Sequence, residues 1–406
     1  MPLKTISPQL PGPPPPLKIT DVECYALLAP DFDPGLTSSA QDSFVVVIRT
    51  DGGVFGVGEC DANPWMAKAC IEAPGTHTMG QSIRDSLIGA DPFAIGELWR
   101  AAYVGSAMNG RRGMVIHALS AVDMALWDLC GKAVDLPVHA LLGGVTRDAI
   151  VPYASLLPLG NRFETYRDAL CEAAEQAVSL GFRAVKAEII MNGPYAHDGM
   201  RESDARHTEV LAAVRKTIGP DVTLMVDVGY LWDDAETCLA TIADWAEFDC
   251  FFLETPIWSD NVHEIAKVSA RAPMPIAYGE WLATRFEFAE IMDSGRIQVA
   301  QPDVGRVGGI GEASIVCEMA KARGITIVPH CWKTGISVSA TAHLAFVTDG
   351  CAFIEYLPPQ LCVERLRREL VREELSLAPD GTIPLPRQPG LGIELDWDAL
   401  HRYIVA

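Results

Sequence analysis

Short apolar runs that each end in an acidic residue or a histidine recur along the second half of this chain. The residues that end them follow one another at intervals of 23 to 27 positions and are Asp227, Glu254, Glu280, Asp303, His330 and Glu355. A strand of about five residues, a crossover helix and two loops occupy roughly this length. Apolar runs separated by helical segments are typical of parallel strands buried on both faces. The spacing therefore predicts β/α units in series, as in a (β/α)8 barrel.

The carboxyl ends of the strands in such a barrel converge on one mouth, so these six side chains would face one pocket. Three consecutive strands end in Asp227, Glu254 and Glu280, an oxygen-rich set that suits a hard divalent cation such as Mg²⁺. A single acidic residue at a strand end is more often a helix N-cap or a solvent-exposed loop residue. Capping alone hardly explains six at near-constant spacing, so the pattern as a whole favours a functional pocket.

Composition narrows the class of protein. The 406 residues suit one large and one smaller domain, and 49% hydrophobic residues supply a core. A formal charge of −21 argues against nucleic acid or an anionic membrane as a partner. No apolar run approaches the roughly 20 residues that span a bilayer, and six prolines stand where a signal peptide would be apolar. Eleven scattered cysteines without a CxxC pair are most simply reduced thiols in a cytoplasm.

The pattern is different before the β/α series. After a proline-rich tail over residues 1–16, alternating stretches that begin near positions 17, 43 and 54 predict three strands. Helical patterns then cover about residues 67–87, resume from Asp91, and are clearest over residues 113–134. Hairpin-forming strands followed by helices predict an α+β domain over residues 17–145.

Two stretches within the β/α series need separate comment. The second barrel strand carries Lys186 and Glu188, which share one face because side chains alternate along a strand.

The glycine-rich stretch 305–311 looks like a phosphate-binding loop but lacks both the GxGxxG register and a GK[ST] ending. It is predicted to be a tight turn into the next helix.

With these residues in hand, the chain resembles the enolase superfamily, and most closely its mandelate racemase-like group, which includes acid-sugar dehydratases. Supporting segments are Leu-Leu-Gly-Gly at 141–144 and Pro-Gly-Leu-Gly at 389–392. The resemblance implies a modified (β/α)8 TIM barrel over residues 146–370 beneath the α+β capping domain, with residues 371–406 returning to that domain. It also implies that loops 31–41 and 60–65 lie over the mouth of the barrel and shape specificity.

The resemblance also implies roles for the residues at the mouth. Asp227, Glu254 and Glu280 would bind Mg²⁺, and His330 would be a base held by Asp303. Glu355 would orient the substrate carboxylate, and Lys186 would hold that carboxylate or pair with Glu188. These roles suit one chemistry: removing a proton next to a carboxylate creates a second negative charge, which a cation stabilises while a His–Asp pair accepts the proton.

One position departs from the pattern of the group. Many relatives carry Lys-x-Lys on the second strand, whereas this chain has Lys186-Ala-Glu188. Inversion at the carbon next to a carboxylate needs a proton acceptor on one face and a donor on the other, and the lysine that usually serves the second face is missing. Glu188 is then a substrate-binding group or a second acid or base; alternatively, it pairs with Lys186 and both are structural.

The function predicted from all of this is Mg²⁺-dependent dehydration of a sugar acid to a 2-keto-3-deoxy acid. The alternatives are a racemase, epimerase or cycloisomerase that uses the same enolate, and a catalytically idle barrel that acts as a binding protein. The expected partner is a small-molecule carboxylate, with no nucleic acid and no membrane. The expected setting is the cytoplasm, where the chain would form a homo-oligomer.

Overall fold

The computed structural model describes residues 3–157, 160–197 and 200–406, and the chain begins with a three-stranded antiparallel sheet in the order β1-β2-β3. The strands are β1 (Ile19–Leu28), β2 (Asp42–Thr50) and β3 (Phe55–Cys60). A helical layer follows, made of α1 (Pro64–Glu72), α2 (Ile83–Leu87), α3 (Ile95–Gly110), α4 (Met114–Val134) and α5 (Val138–Leu141). Together they form the α+β domain that the sequence predicts.

The sheet and the central helix α4 lie in backbone contact. A Cβ atom on Gly56 would lie 2.0 Å from the carbonyl oxygen of Ala125, and one on Gly58 would lie 2.0 Å from that of Ala121. No other residue fits at these two positions of β3, because any side chain would overlap the helix backbone. This close packing buries nearly every residue of α4 from Val115 to Gly131.

The length of α4 corrects one expectation. By length and composition this helix could cross a membrane, although the sequence suggested that no apolar run comes near the necessary length. Of the most apolar 18 residues of this helix, 89% are buried inside the protein, as in the core helix of a globular protein.

The helical patterns predicted over about residues 67–87 correspond to two separate helices. α1 ends at Glu72 and α2 begins only at Ile83. Pro74 and Gly75 lie between them, and a proline can neither continue a helix nor leave the residue before it helical. The helix expected to resume from Asp91 begins at Ile95.

The second part is an eight-stranded parallel sheet in the order β11-β10-β9-β8-β7-β6-β5-β12, beside the short strand β4 (Ala149–Ile150). The eight strands are β5 (Pro152–Leu156), β6 (Ala184–Glu188), β7 (Thr223–Asp227), β8 (Cys250–Glu254), β9 (Ile276–Tyr278), β10 (Val299–Ala300), β11 (Thr326–Ile327) and β12 (Ile354–Tyr356). The intervening helices are α6 (Phe163–Ser179), α7 (Asp204–Ile218), α8 (Ala235–Ile242), α9 (Val262–Arg271), α10 (Thr284–Asp293), α11 (Ile310–Ala322) and α12 (Gly335–Val347). A parallel bridge between Ile327 and Cys351 joins the two ends, so the predicted barrel is confirmed.

The final segment runs back over the first part. It contains α13 (Arg365–Glu369), β13 (Val371–Glu373), β14 (Ile383–Pro384), β15 (Glu394–Leu395) and α14 (Trp397–Tyr403). The backbone of Ala26 in β1 exchanges hydrogen bonds with Val405 (2.9 Å) and Ala406 (3.0 Å). The N-terminal tail is extended but not loose, because Leu3, Ile6 and other apolar side chains pack against the core.

Candidate active site

The predicted site residues lie at the C-terminal mouth of the barrel. Asp227 and Glu254 are the last residues of β7 and β8, and Glu280 follows β9 by two positions. The chain can turn toward the mouth before Glu280 only because Gly279 has a φ of +146°, and a Cβ atom there would lie 2.6 Å from the carbonyl oxygen of Gln301. A cavity of about 150 Å³ opens at this point, and its lining includes Lys186, Glu188, Asp227, Glu280 and His330.

The donor set at the floor of the cavity fits a divalent cation. Ligand atoms of Glu254, Glu280 and His330 all lie within 4.8 Å of one another. Glu254 is fully buried, and its Oε1 atom has no hydrogen-bond partner among the described residues. Burial raises the pKa of Glu254 to about 8, with Lys186 opposing the shift, and burial also raises the pKa of Glu280. A fully buried carboxylate with an unsatisfied oxygen, next to the partly buried Glu280 carboxylate, is an environment that a hard cation would stabilise.

Asp227 is held beside this cluster by two hydrogen bonds to one of its oxygens. Oδ1 accepts from the backbone N–H of Gly229 and from the hydroxyl of Thr255, both at 2.9 Å. Thr255 has a φ of +44°, an uncommon value for a β-branched residue, and it adopts this backbone directly after Glu254. The bonds leave Oδ2 of Asp227 directed toward the site, 3.9 Å from Lys186 Nζ.

Lys186 is the buried cation at the centre of the site. Its Nζ lies 3.0 Å from Glu254 Oε2 and 2.8 Å from Glu355 Oε1. Burial would lower the pKa of Lys186, but Glu254 and Glu355 outweigh burial and hold it well above its ordinary value. The alternative that Lys186 pairs with Glu188 is wrong, because its ion pairs in the described chain are with carboxylates of other strands.

Glu188 instead belongs to a hydrogen-bonded chain through Ser155. The Ser155 hydroxyl lies 2.6 Å from Glu355 Oε1 and 3.1 Å from Glu188 Oε1. A hydroxyl group carries one proton, so it donates to one carboxylate and accepts from the other when that one is protonated. Burial raises the pKa of Glu188 well above its usual value. For Glu355, Lys186 and His330 overcome burial and lower the pKa to about 2. The pKa shifts of the two carboxyl groups have opposite directions, in keeping with a Ser155 hydroxyl that donates to Glu355.

His330 is oriented by one carboxylate and faces two others. Its Nδ1 lies 2.5 Å from Asp303 Oδ2, while Nε2 lies 3.6 Å from Glu280 and 3.5 Å from Glu355. Burial would lower the pKa of His330, but Glu355 and Asp303 raise it to about 9. The Asp303 hydrogen bond fixes the ring, so that Nε2 is the atom available for proton transfer.

The sequence pointed to neither Ser155 nor Arg306 as a site residue. Ser155 lies near the end of the first barrel strand, so the same search for polar residues at strand ends would have found it. Arg306 lies in the glycine-rich stretch 305–311, which makes the predicted turn into α11. Its guanidinium pairs with Asp61 Oδ2 and reaches Glu280 Oε2 at 3.6 Å.

Of the two loops that the resemblance singled out, loop 31–41 lines the cavity, and loop 60–65 reaches it through an ion pair with Arg306. Thr37, Ser38 and Ser39 of loop 31–41 line the cavity, and the Thr37 hydroxyl donates to the carbonyl oxygen of Tyr195 at 2.9 Å. Asp61 of loop 60–65 joins the two domains through its ion pair with Arg306. Loop 31–41 therefore forms part of the wall, while the barrel supplies the floor.

Known proteins are similar to this chain in sequence and fold. Residues 27–143 match the family described as the mandelate racemase/muconate lactonizing enzyme N-terminal domain, and residues 169–399 match the enolase C-terminal domain-like family. The D-galactarolactone cycloisomerase of Agrobacterium fabrum is 32% identical over 88% of this chain and 90% of its own length. The arabinonate dehydratase of Saccharolobus solfataricus is 29% identical over 91% and 92%. A solved structure described as a predicted mandelate racemase from Rhodobacter sphaeroides has 32% identity and a TM-score of 0.84, covering 96% of each chain.

Proposed function

Since this chain belongs to the enolase superfamily, in its mandelate racemase-like group, we propose that it dehydrates a sugar acid to a 2-keto-3-deoxy acid. The observation that carries the proposal is the His330–Asp303 pair, whose free Nε2 faces the carboxylates of the mouth. A base in this position can reach a proton next to a substrate carboxylate held at the floor of the cavity.

The site's own residues divide the work. In its neutral form His330 accepts at Nε2 the proton from the carbon next to the substrate carboxylate, and Asp303 stabilises the imidazolium that results. The electron pair left behind forms the carbon–carbon double bond as the 3-hydroxyl departs, and His330 returns its proton to that leaving group. The resulting enol becomes a ketone when carbon 3 takes a proton from solvent. The net change is the loss of one water.

Asp227, Glu254 and Glu280 would hold a Mg²⁺ ion, in keeping with the buried Glu254 oxygen that finds no hydrogen-bond partner in the described part of the chain. When bound, the ion supplies electrostatic stabilisation of the charge that develops on the substrate carboxylate. Lys186 would hold that carboxylate, and Glu355 would help to orient it by positioning Lys186 through their ion pair.

Glu188 favours elimination over inversion. It stands on β6, across the mouth from His330, in the place where relatives in the group carry a second lysine base. Elimination needs one group that moves a proton from carbon to the departing oxygen, whereas inversion needs independent bases on both faces. We therefore propose dehydration in preference to racemisation.

A second candidate is ring-opening cycloisomerisation, which the 32% identity to D-galactarolactone cycloisomerase favours. The proton abstraction would be the same, but a ring oxygen would depart in place of the hydroxyl and would keep the proton. The product would then be an isomer of the substrate, and no water would be lost.

One experiment tests both candidates. Each member of a library of sugar acids and their lactones is incubated with the protein and Mg²⁺ in D₂O, and the products are followed by NMR and mass spectrometry. Dehydration gives a 2-keto-3-deoxy acid that has lost water and carries deuterium at carbon 3. Clean inversion at carbon 2 without a keto product refutes the proposal.

We further propose a homo-oligomer that acts on small carboxylates in the cytoplasm. The eleven cysteines are all free in the structure, in keeping with a reducing compartment. Sedimentation and cell fractionation would test the two proposals separately.

A further inference from the structure

Four aromatic rings form one cluster beside the cavity. Each of the six pairs among Tyr195, Tyr230, Trp258 and Trp281 has ring centroids 4.4 to 6.2 Å apart. The rings come from the loops that follow β6, β7, β8 and β9, so four consecutive strand ends each contribute one. We call this cluster the aromatic wall. None of the roles proposed above uses it.

The wall faces the same space as the carboxylates. Tyr195, Tyr230 and Trp281 line the cavity, whereas Trp258 lines the neighbouring cavity on the far side of Trp281. Trp332, two residues after His330, lines the cavity as well and is 7% exposed. A substrate whose carboxylate sits at the floor therefore extends between aromatic faces.

Packing holds the wall together without a substrate, although Trp281 is 36% exposed. Tyr230 is 4% exposed, and Trp281 stacks on it at a centroid distance of 4.4 Å and an interplanar angle of 28°. The backbone of Tyr195 is tied to Thr37 of the capping domain by a 2.9 Å hydrogen bond. Packed rings of this kind present apolar faces and carry their hydroxyl and indole N–H groups only at the ring edges, so the faces impose a requirement on the ligand.

The cavity also lacks a free cation for a second carboxylate, as far as the described lining residues go. Arg306 already pairs with Asp61 and donates to the carbonyl oxygen of Glu280 at 3.1 Å. Lys186 is held by Glu254 and Glu355, and His330 by Asp303. A dicarboxylate would have to place its second charge against aromatic rings or against existing carboxylates, which costs binding energy.

From these contacts we propose that the aromatic wall selects a monocarboxylic sugar acid whose carbon chain is closed into a ring. An open chain carries a hydroxyl on nearly every carbon and would turn several of them toward apolar faces, where they find no partner. A ring presents a C–H face to Trp281 and gathers its hydroxyls at the edge, within reach of Thr37, Ser38 and Ser39. The inference rests on the proposed function only for the position of the carboxylate.

Binding measurements test this selection. Isothermal titration calorimetry with Mg²⁺ present compares three six-carbon acids that share one configuration relative to the carboxylate: ring-closed D-galacturonate, open-chain L-galactonate and the open-chain diacid galactarate. We expect galacturonate to bind at least about tenfold more tightly than either of the others, since one hydroxyl without a partner accounts for about that factor. Trp281→Leu should reduce the ratio to below about threefold.

Trp258→Leu is the matched control, because it removes a ring from the same cluster but not from the lining of this cavity, and it should keep the preference. Equal or tighter binding of galactonate or galactarate to the wild-type protein would overturn the inference, and this comparison needs no variant to fold. A loss of preference in Trp258→Leu equal to that in Trp281→Leu would also overturn it. Deuterium exchange next to the carboxylate reports the proposed chemistry separately, so either idea can fail while the other stands.

Discussion

A buried pair of histidines should make the protein sensitive to acid. The backbone N–H of His139 donates to His343 Nδ1 at 3.2 Å, and His343 Nε2 lies 3.2 Å from the carbonyl oxygen of Leu391. His343 is therefore a neutral ring that accepts at Nδ1 and donates at Nε2, and protonation of Nδ1 would break the first bond. The pair ties α5 and α12 to the final segment of the chain.

The stability that the protein loses in acid can be calculated from the shift of the His343 pKa. Burial, with a contribution from His139, lowers this pKa from 6.5 to about 3. In the unfolded chain His343 therefore binds a proton below pH 6.5, whereas in the folded chain it does so only below about pH 3. Stability is fully present above pH 6.5 and is lost as the pH falls from there. At pH 5 the loss from His343 alone is about 2 kcal/mol, at about 1.4 kcal/mol for each pH unit below 6.5.

Urea unfolding at pH 8 and pH 5 measures this loss. We expect His343→Gln to be less stable than the wild type at pH 8, but to lose about 2 kcal/mol less between the two pH values. His263→Gln, a substitution of an exposed histidine on α9, should keep the acid sensitivity of the wild type. Equal losses in wild type and His343→Gln, within about 0.5 kcal/mol, would refute the reasoning.

Three further predictions concern the site and its support. Glu254→Gln should keep the fold but abolish both turnover and the rise in Tm that Mg²⁺ causes in the wild type; full activity of this variant in EDTA would contradict the metal assignment. His330→Asn should lose at least about a hundredfold in the rate of deuterium exchange next to the carboxylate, and an unchanged rate would reject His330 as the base. Glu59→Ala should lower the free energy of unfolding in urea by about 3–5 kcal/mol. The reason is that the buried Glu59 carboxylate accepts hydrogen bonds from Ser43 and from Thr334 and Ser337 at the start of α12. A loss below about 1 kcal/mol would contradict that role.

The sequence by itself determined the barrel and the residues at its mouth. A parallel strand buried on both faces needs a continuous apolar run, and a β/α unit has a nearly constant length. Both features can be recognised in short stretches of the sequence. A polar residue at the end of such a run must emerge at the mouth whatever the loops do. The prediction that Asp303 and His330 would be hydrogen-bonded follows from the same geometry, because they close adjacent strands, and the 2.5 Å contact confirms it.

Only the tertiary structure decided which side chains pair. Lys186 and Glu188 are two residues apart on one strand, yet Lys186 pairs with Glu254 and Glu355, and Glu188 bonds to Ser155. The ion pair between Asp61 and Arg306 joins residues that lie 245 positions apart. Such partners are brought together when the capping domain closes on the barrel and when loops from four strands converge. Chain order carries no signal for these contacts, because each depends on the direction of a loop that packing against the rest of the molecule fixes.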